Sequence, residues 1–284
     1  MRVRAIKDLS QLSDPDFFKE VSRGLDLCLE NSKQLYASHE TLGQNKHPQG
    51  ADILKGLAEE EVAKFLILLD AVRCPRNPAD LLAQHLGKFN NHLARLLYAY
   101  ACNLRSGASD YGTLIGNLNE ARASLYLDGP NDADYIFRND LLHQRESAMY
   151  VDYIETDEGH SWLCPNDWHT DLGQGFLPHK PMVIELVETL AGLGFTNADA
   201  LKAIAARWRG IAMRNDYSFA KSWPQITGTL QDLEKLGLIK DSGVSRIESI
   251  LSQWQFPLYG AELNSEIQVN REDLRERQRN WSPF

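Results

Sequence analysis

The sequence predicts a mainly α protein: an antiparallel helical bundle, then one short β-hairpin, then a C-terminal helical appendage. Two patterns predict it. Apolar residues recur at helical spacing through long stretches of the first 150 residues, with short polar connections between them. Around MYVDYI the pattern becomes aromatic and β-branched, and past Lys180 helical spacing returns. The expected division is a bundle over 1–150, a hairpin and loop over 151–179, and a helical region with a tail over 180–284.

In order, Ser13-Asp14-Pro15 supplies a cap and a first-turn proline for a helix that carries Phe17, Phe18, Val21, Leu25, Cys28, Leu29, Ser32, Leu35 and Tyr36 inward. After GQNKHPQG a second helix is expected from about Ala51 to Val72. A third opens at Asn77-Pro78 and runs to about Leu104, with Leu82, Leu86, Phe89, Leu93, Leu96, Leu97 and Tyr100 inward. A weaker helix follows at about 111–127, and after DGPND a last bundle helix at about 132–147. MYVDYI and HSWLCP read as strands around the polar ETDEG turn. Further helices are expected at about 182–193, 198–213, 224–236 and 244–254. The charged tail from Gly260 reads as a surface helix or as disorder.

Composition narrows function. With 30 Lys and Arg against 39 Asp and Glu, a net charge of -9 argues against general nucleic-acid binding, so any RNA site has to be locally basic. The N-terminus MRVRAIKDLSQLSD has no apolar signal core, and the apolar block FLILL is too short to span a bilayer. The expectation is therefore a soluble cytoplasmic protein with no membrane partner. Four scattered cysteines suit reduced thiols. The set His160, Cys164, His169, Asp171 and His179 matches no ordinary zinc module, so neither a metal nor another cofactor is expected.

Several polar residues fall where apolar ones belong. The stripe of the second helix takes Glu61 onto the buried face, with Glu60 and Lys64 one turn apart beside it. They read either as a paired ion network or as support holding a catalytic arginine or histidine. His85 and His92 fall on the stripe of the third helix and read first as histidines satisfied at the core edge. The cations Arg207, Arg209, Arg214 and Lys221, with Trp208, Tyr217 and Trp223, read either as helix surface or as a platform for single-stranded RNA.

LAEEEVAKFLILL, FNNHLARLL and RESAMYVDYIETDEGHSWLCP, in that order over about residues 20–170, resemble the AbiV family of abortive-infection proteins within the HEPN superfamily. The resemblance implies a HEPN-like bundle, a homodimer, and in many members a metal-independent endoribonuclease. Such members carry an arginine, four to six intervening residues and a histidine, often with an asparagine next to the arginine. Arg138-Asn139-Asp140-Leu141-Leu142-His143 fits that formula. Histidine titrates near neutrality and can move a proton, while the arginine fork can hold phosphorane oxygens. The implied roles are His143 for proton transfer, Arg138 for charge stabilisation and Asn139 for orientation, supported by Glu60, Glu61, Lys64 and His92. On a straight helix residues five apart diverge by about 140°, so convergence needs an irregular helix start or a second subunit. The alternative is a non-catalytic HEPN module that binds a phage protein, an antitoxin or the translation machinery.

Overall fold

The computed structural model describes residues 5–105, 107–123, 139–156, 159–165, 180–239 and 252–269, with Glu272 and Glu276. It is mainly α. The helices are α1 (Asp14–Gln44), α2 (Pro48–Arg73), α3 (Ala79–Gly87), α4 (His92–Arg105), α5 (Tyr111–Ala123) and α6 (Asp140–Ser147). After the hairpin come α7 (Met182–Gly192), α8 (Ala198–Trp208) and α9 (Phe219–Lys235). Strands β1 (Asp152–Thr156) and β2 (Gly159–Leu163) pair antiparallel, with Asp152 opposite Leu163 and Thr156 opposite Gly159. No helix among the described residues is long and apolar enough to cross a membrane.

Helix α1 starts as expected. The Ser13 hydroxyl accepts from the Asp16 amide, Pro15 needs no partner in the first turn, and Phe17, Phe18, Val21, Leu25 and Cys28 line the inward face. It lies along α2, the central element, which also meets α3, α4, α7 and α8. A helix surrounded in this way has no broad polar side, and every residue from Phe65 to Arg73 is buried. The core is continuous from α1 through α8, because Val183, Ile184, Leu186 and Val187 of α7 and Leu201, Ile204 and Trp208 of α8 join it.

The expected third helix is two. Lys88–Asn90 forms a 3-10 turn, and Asn91 is extended (φ -100°, ψ 123°), its Oδ1 capping α4 through the Ala94 amide at 2.9 Å. This break shifts the phase: Tyr98 is buried where Tyr100 was expected inward, and Tyr100 is exposed. Helix α5 is described to Ala123, and the expected helix over 132–147 is described only as α6, starting at Asp140. The helix expected over 244–254 lies outside the described residues, apart from a 3-10 turn at Ser252–Trp254. Helix α9 starts at Phe219, ahead of the expected Pro224.

Residues 254–267 form a strap, which corrects the expected surface tail at Ala261 and Leu263; REDLRERQR lies outside the described residues apart from Glu272 and Glu276. Trp254, Phe256, Leu258 and Leu263 are buried. Buried Asp70 receives the Leu258 amide at 2.7 Å and the Tyr98 hydroxyl at 2.9 Å, and it pairs with Arg73. The Arg73 guanidinium lies 4.0 Å from the Trp254 ring and 4.8 Å from the Trp208 ring, and it donates to the Trp254 carbonyl at 2.9 Å. Lys88 Nζ donates to the Leu258 and Tyr259 carbonyls, and Asn91 and Arg122 donate to those of Asn264 and Ser265.

His85 is a core histidine. Its Nε2 lies 2.7 Å from the Ile67 carbonyl, so that nitrogen carries the proton and donates. Burial, and next the Lys88 charge, push its pKa down from 6.5 to about 3. The folded value lies below the unfolded one, so the unfolded chain takes up the proton first as pH falls. The His85 contribution is therefore complete above about pH 6.5 and is lost toward about pH 3. Urea titrations across this window should show a pH slope that His85→Gln reduces by up to one proton. An unchanged slope would remove His85 as its source.

Candidate functional site

Three helices meet at Glu60. The residue lies in α2, its side chain only 3% exposed, and a carboxylate sealed in this way needs cations. Arg145 of α6 donates from Nε to Oε1 at 2.7 Å, and Arg95 of α4 places Nη2 3.0 Å from Oε2. His92, the first residue of α4, brings Nδ1 to 2.9 Å from the same Oε2, while Nδ1 also lies 2.7 Å from Arg95 Nη2. Because Asn91 caps α4, His92 sits at the helix mouth with its side chain 50% exposed. Burial lowers the His92 pKa; Glu60 pulls it up, and the Arg95 and Arg145 charges push it down further. Among the described residues one carboxylate, Glu60, faces two guanidinia, those of Arg95 and Arg145.

Sequence reasoning placed Glu61 on the buried face, and the structure corrects this. Glu60 is the buried carboxylate, while Glu61 pairs with Lys64 one turn on, both side chains partly exposed. Lys64 also lies over the Phe89 ring at 5.4 Å. The Glu60–Lys64 pair expected from their i,i+4 spacing is not formed, because α4 and α6 supply the Glu60 partners. Arg95 and Arg145 were not among the expected site residues, although they are the basic residues of FNNHLARLL and RESAMYVDYIETDEGHSWLCP.

Asn139 is buried, and its amide is committed. Oδ1 accepts from the Leu141 and Leu142 amides at 3.1 and 3.4 Å, and Nδ2 donates to the Ala121 carbonyl at 2.5 Å. It is the N-cap of α6, with non-helical backbone (φ -44°, ψ 130°), and it ties that helix start to the end of α5. The divergence calculated for a straight helix does not apply across this break. Arg138 lies outside the described residues. His143 is half-buried in the first turn of α6, its amide bonded to the Asn139 carbonyl at 2.9 Å. It stands two residues from Arg145 and is therefore turned about 160° away from it around α6. The structure thus brings Glu60, His92, Arg95 and Arg145 together and leaves His143 on another side of α6. Asp140 accepts from Gln144 at 2.9 Å and sits where the α6 dipole favours an acid.

The other polar sets resolve differently. Arg207 pairs with Asp232, Arg209 with Asp14 and Lys221 with Asp216, and Trp208 is buried, so three of the four cations of this set are ion-paired and one of its rings belongs to the core. His160 stacks on Tyr153 across the hairpin at 5.6 Å, and Cys164 is half-buried. His169, Asp171 and His179 lie outside the described residues.

The chain matches no curated protein and no solved structure. The family model HEPN_AbiV, described as AbiV, matches residues 20–172, more than half of the chain. That span contains α2, α4 and α6 and so all four members of the Glu60 cluster, together with the Arg138 to His143 motif. The chain belongs to the AbiV family of HEPN proteins.

Proposed function

We propose that this AbiV protein acts in phage defence as a metal-independent endoribonuclease toxin, cleaving RNA and halting growth of the infected cell. The observation that carries the reading is the seating of α6. Asn139 fixes its start, Arg145 clamps it to buried Glu60, and His143 stands in its first turn on another side of the helix from that clamp. Cleavage by the RNA's own 2′-hydroxyl needs a proton acceptor, charge stabilisation on the phosphorane, and a proton for the leaving 5′-oxygen. His143 provides proton transfer and Arg138 the charge stabilisation. Asn139 acts as a positioning residue, through the helix start it caps. The active form is a homodimer, which brings two such motifs to one cleft in the cytoplasm.

The test incubates purified full-length protein with cellular RNA in EDTA, comparing the native chain with His143→Ala. The native chain should cut, and the variant should lose at least about 100-fold in rate, the low end for removal of a general acid or base. Equal cutting by both would overturn the assignment of His143. No cutting by the native chain would favour the non-catalytic module that binds a phage protein, an antitoxin or the translation machinery.

A further inference from the structure

We infer that His92 is a second catalytic residue of this site: held through Nδ1 by Glu60, it presents Nε2 to the substrate as the acceptor of the 2′-hydroxyl proton. The inference rests on the RNA-cleaving reading above and supplies the base which that reading leaves unassigned.

The geometry carries it. A buried carboxylate 2.9 Å from Nδ1 is the arrangement that fixes an imidazole tautomer and steadies the imidazolium that forms when the other nitrogen takes a proton. Nδ1 lies within reach of both Glu60 Oε2 and Arg95 Nη2 and can serve only one. Arg95 already points the same Nη2 at Oε2, so its need is met by the carboxylate, and the Nδ1 proton is assigned to Glu60. The side chain is half exposed, and Nε2 is the ring nitrogen not engaged by Glu60 or Arg95. Among the described residues the groups facing the ring are Glu60 from α2, Arg95 from α4 and Arg145 from α6. The two guanidinia favour the neutral ring a base requires.

The step balances as follows. The 2′-O–H bond breaks and its proton passes to Nε2, while the 2′-oxygen forms a bond to the neighbouring phosphorus. The bond from phosphorus to the 5′-oxygen breaks, that oxygen keeping the electron pair and taking a proton from the acid, His143. The products are a 2′,3′-cyclic phosphate and a 5′-hydroxyl. Since His143 and Arg145 point about 160° apart on α6, the acid comes from the second copy in the proposed homodimer.

The experiment follows single-turnover cutting of a short single-stranded RNA in EDTA, from about pH 5 to 9. His92→Ala should lose at least about 100-fold in rate and the acidic limb of the profile. Glu60→Gln, which removes the carboxylate that raises the His92 pKa, should move that limb to lower pH. Mixing inactive His92→Ala with inactive His143→Ala should restore about a quarter of native activity, since half the dimers would be mixed and each would keep one intact site. That recovery also shows both variants to be folded. Cutting by His92→Ala at the native rate, or no recovery on mixing, would overturn this inference while the native chain still cuts. A native chain that does not cut would overturn the reading beneath it.

Discussion

Asp70→Asn is expected to lower the stability of the protein by about 3–5 kcal/mol, the cost of leaving a buried charge without its partner. Asparagine keeps the size of aspartate and removes its charge, so cavity formation does not enter. Three groups lose a carboxylate acceptor: the Arg73 guanidinium, the Tyr98 hydroxyl and the Leu258 amide. Arg73 is fully buried between two tryptophan rings and cannot turn to water. Urea unfolding followed by tryptophan fluorescence should show a fall in midpoint with little change in slope. A loss under about 1 kcal/mol, the size of a surface ion pair, would mean that Arg73 finds other acceptors. The contrast is Asp14, which holds Arg76 and Arg209 with its side chain about half exposed, and whose replacement belongs to the surface class.

Glu60→Leu is expected to cost about 2–3 kcal/mol, below the figure for a sealed pair because Arg145 and His92 keep contact with solvent. The loss should be uneven. Arg95 stays bonded within α4 through the Asn91 carbonyl, but Arg145 loses the clamp that seats α6 on α2. Amide hydrogen exchange should therefore quicken over 141–147 while the α1 and α2 amides keep their protection. Adding Arg145→Leu should recover part of the loss, because replacing both partners removes the stranded charge. Uniform acceleration across the bundle would show that Glu60 holds the whole fold and has no special hold on α6.

The long helices were legible because their apolar faces repeat over many turns. The cap at Ser13 marked a start that the structure keeps. The break at Asn91 was hidden because Leu82, Leu86, Leu93 and Leu97 stay apolar on both sides of it, and the decisive cap is a single amide oxygen. The choice of Glu61 over Glu60 came from assuming one buried face. That assumption fails for a helix enclosed by five others, where the partners on α4 and α6 decide which carboxylate turns inward. His92 was found as a stripe residue, but its link to Glu60 joins residues 32 apart in sequence, and no local spacing signals such a contact. The strap was illegible for a similar reason: its burial depends on polar groups of α2 and of the turn between α3 and α4 that look like ordinary surface chemistry in the sequence.

The family match ends at residue 172, yet Trp254, Phe256 and Leu258 close the core that α2 and α4 leave open. A shortened chain cut at the family boundary would display bare Asp70, Arg73 and Lys88 beside an apolar trough, so it should clump rather than behave as an independent module. During synthesis the early helices likewise wait for their fastening, which is translated last of all the pieces it binds together. The chain gains its finished shape only once that late segment has left the ribosome.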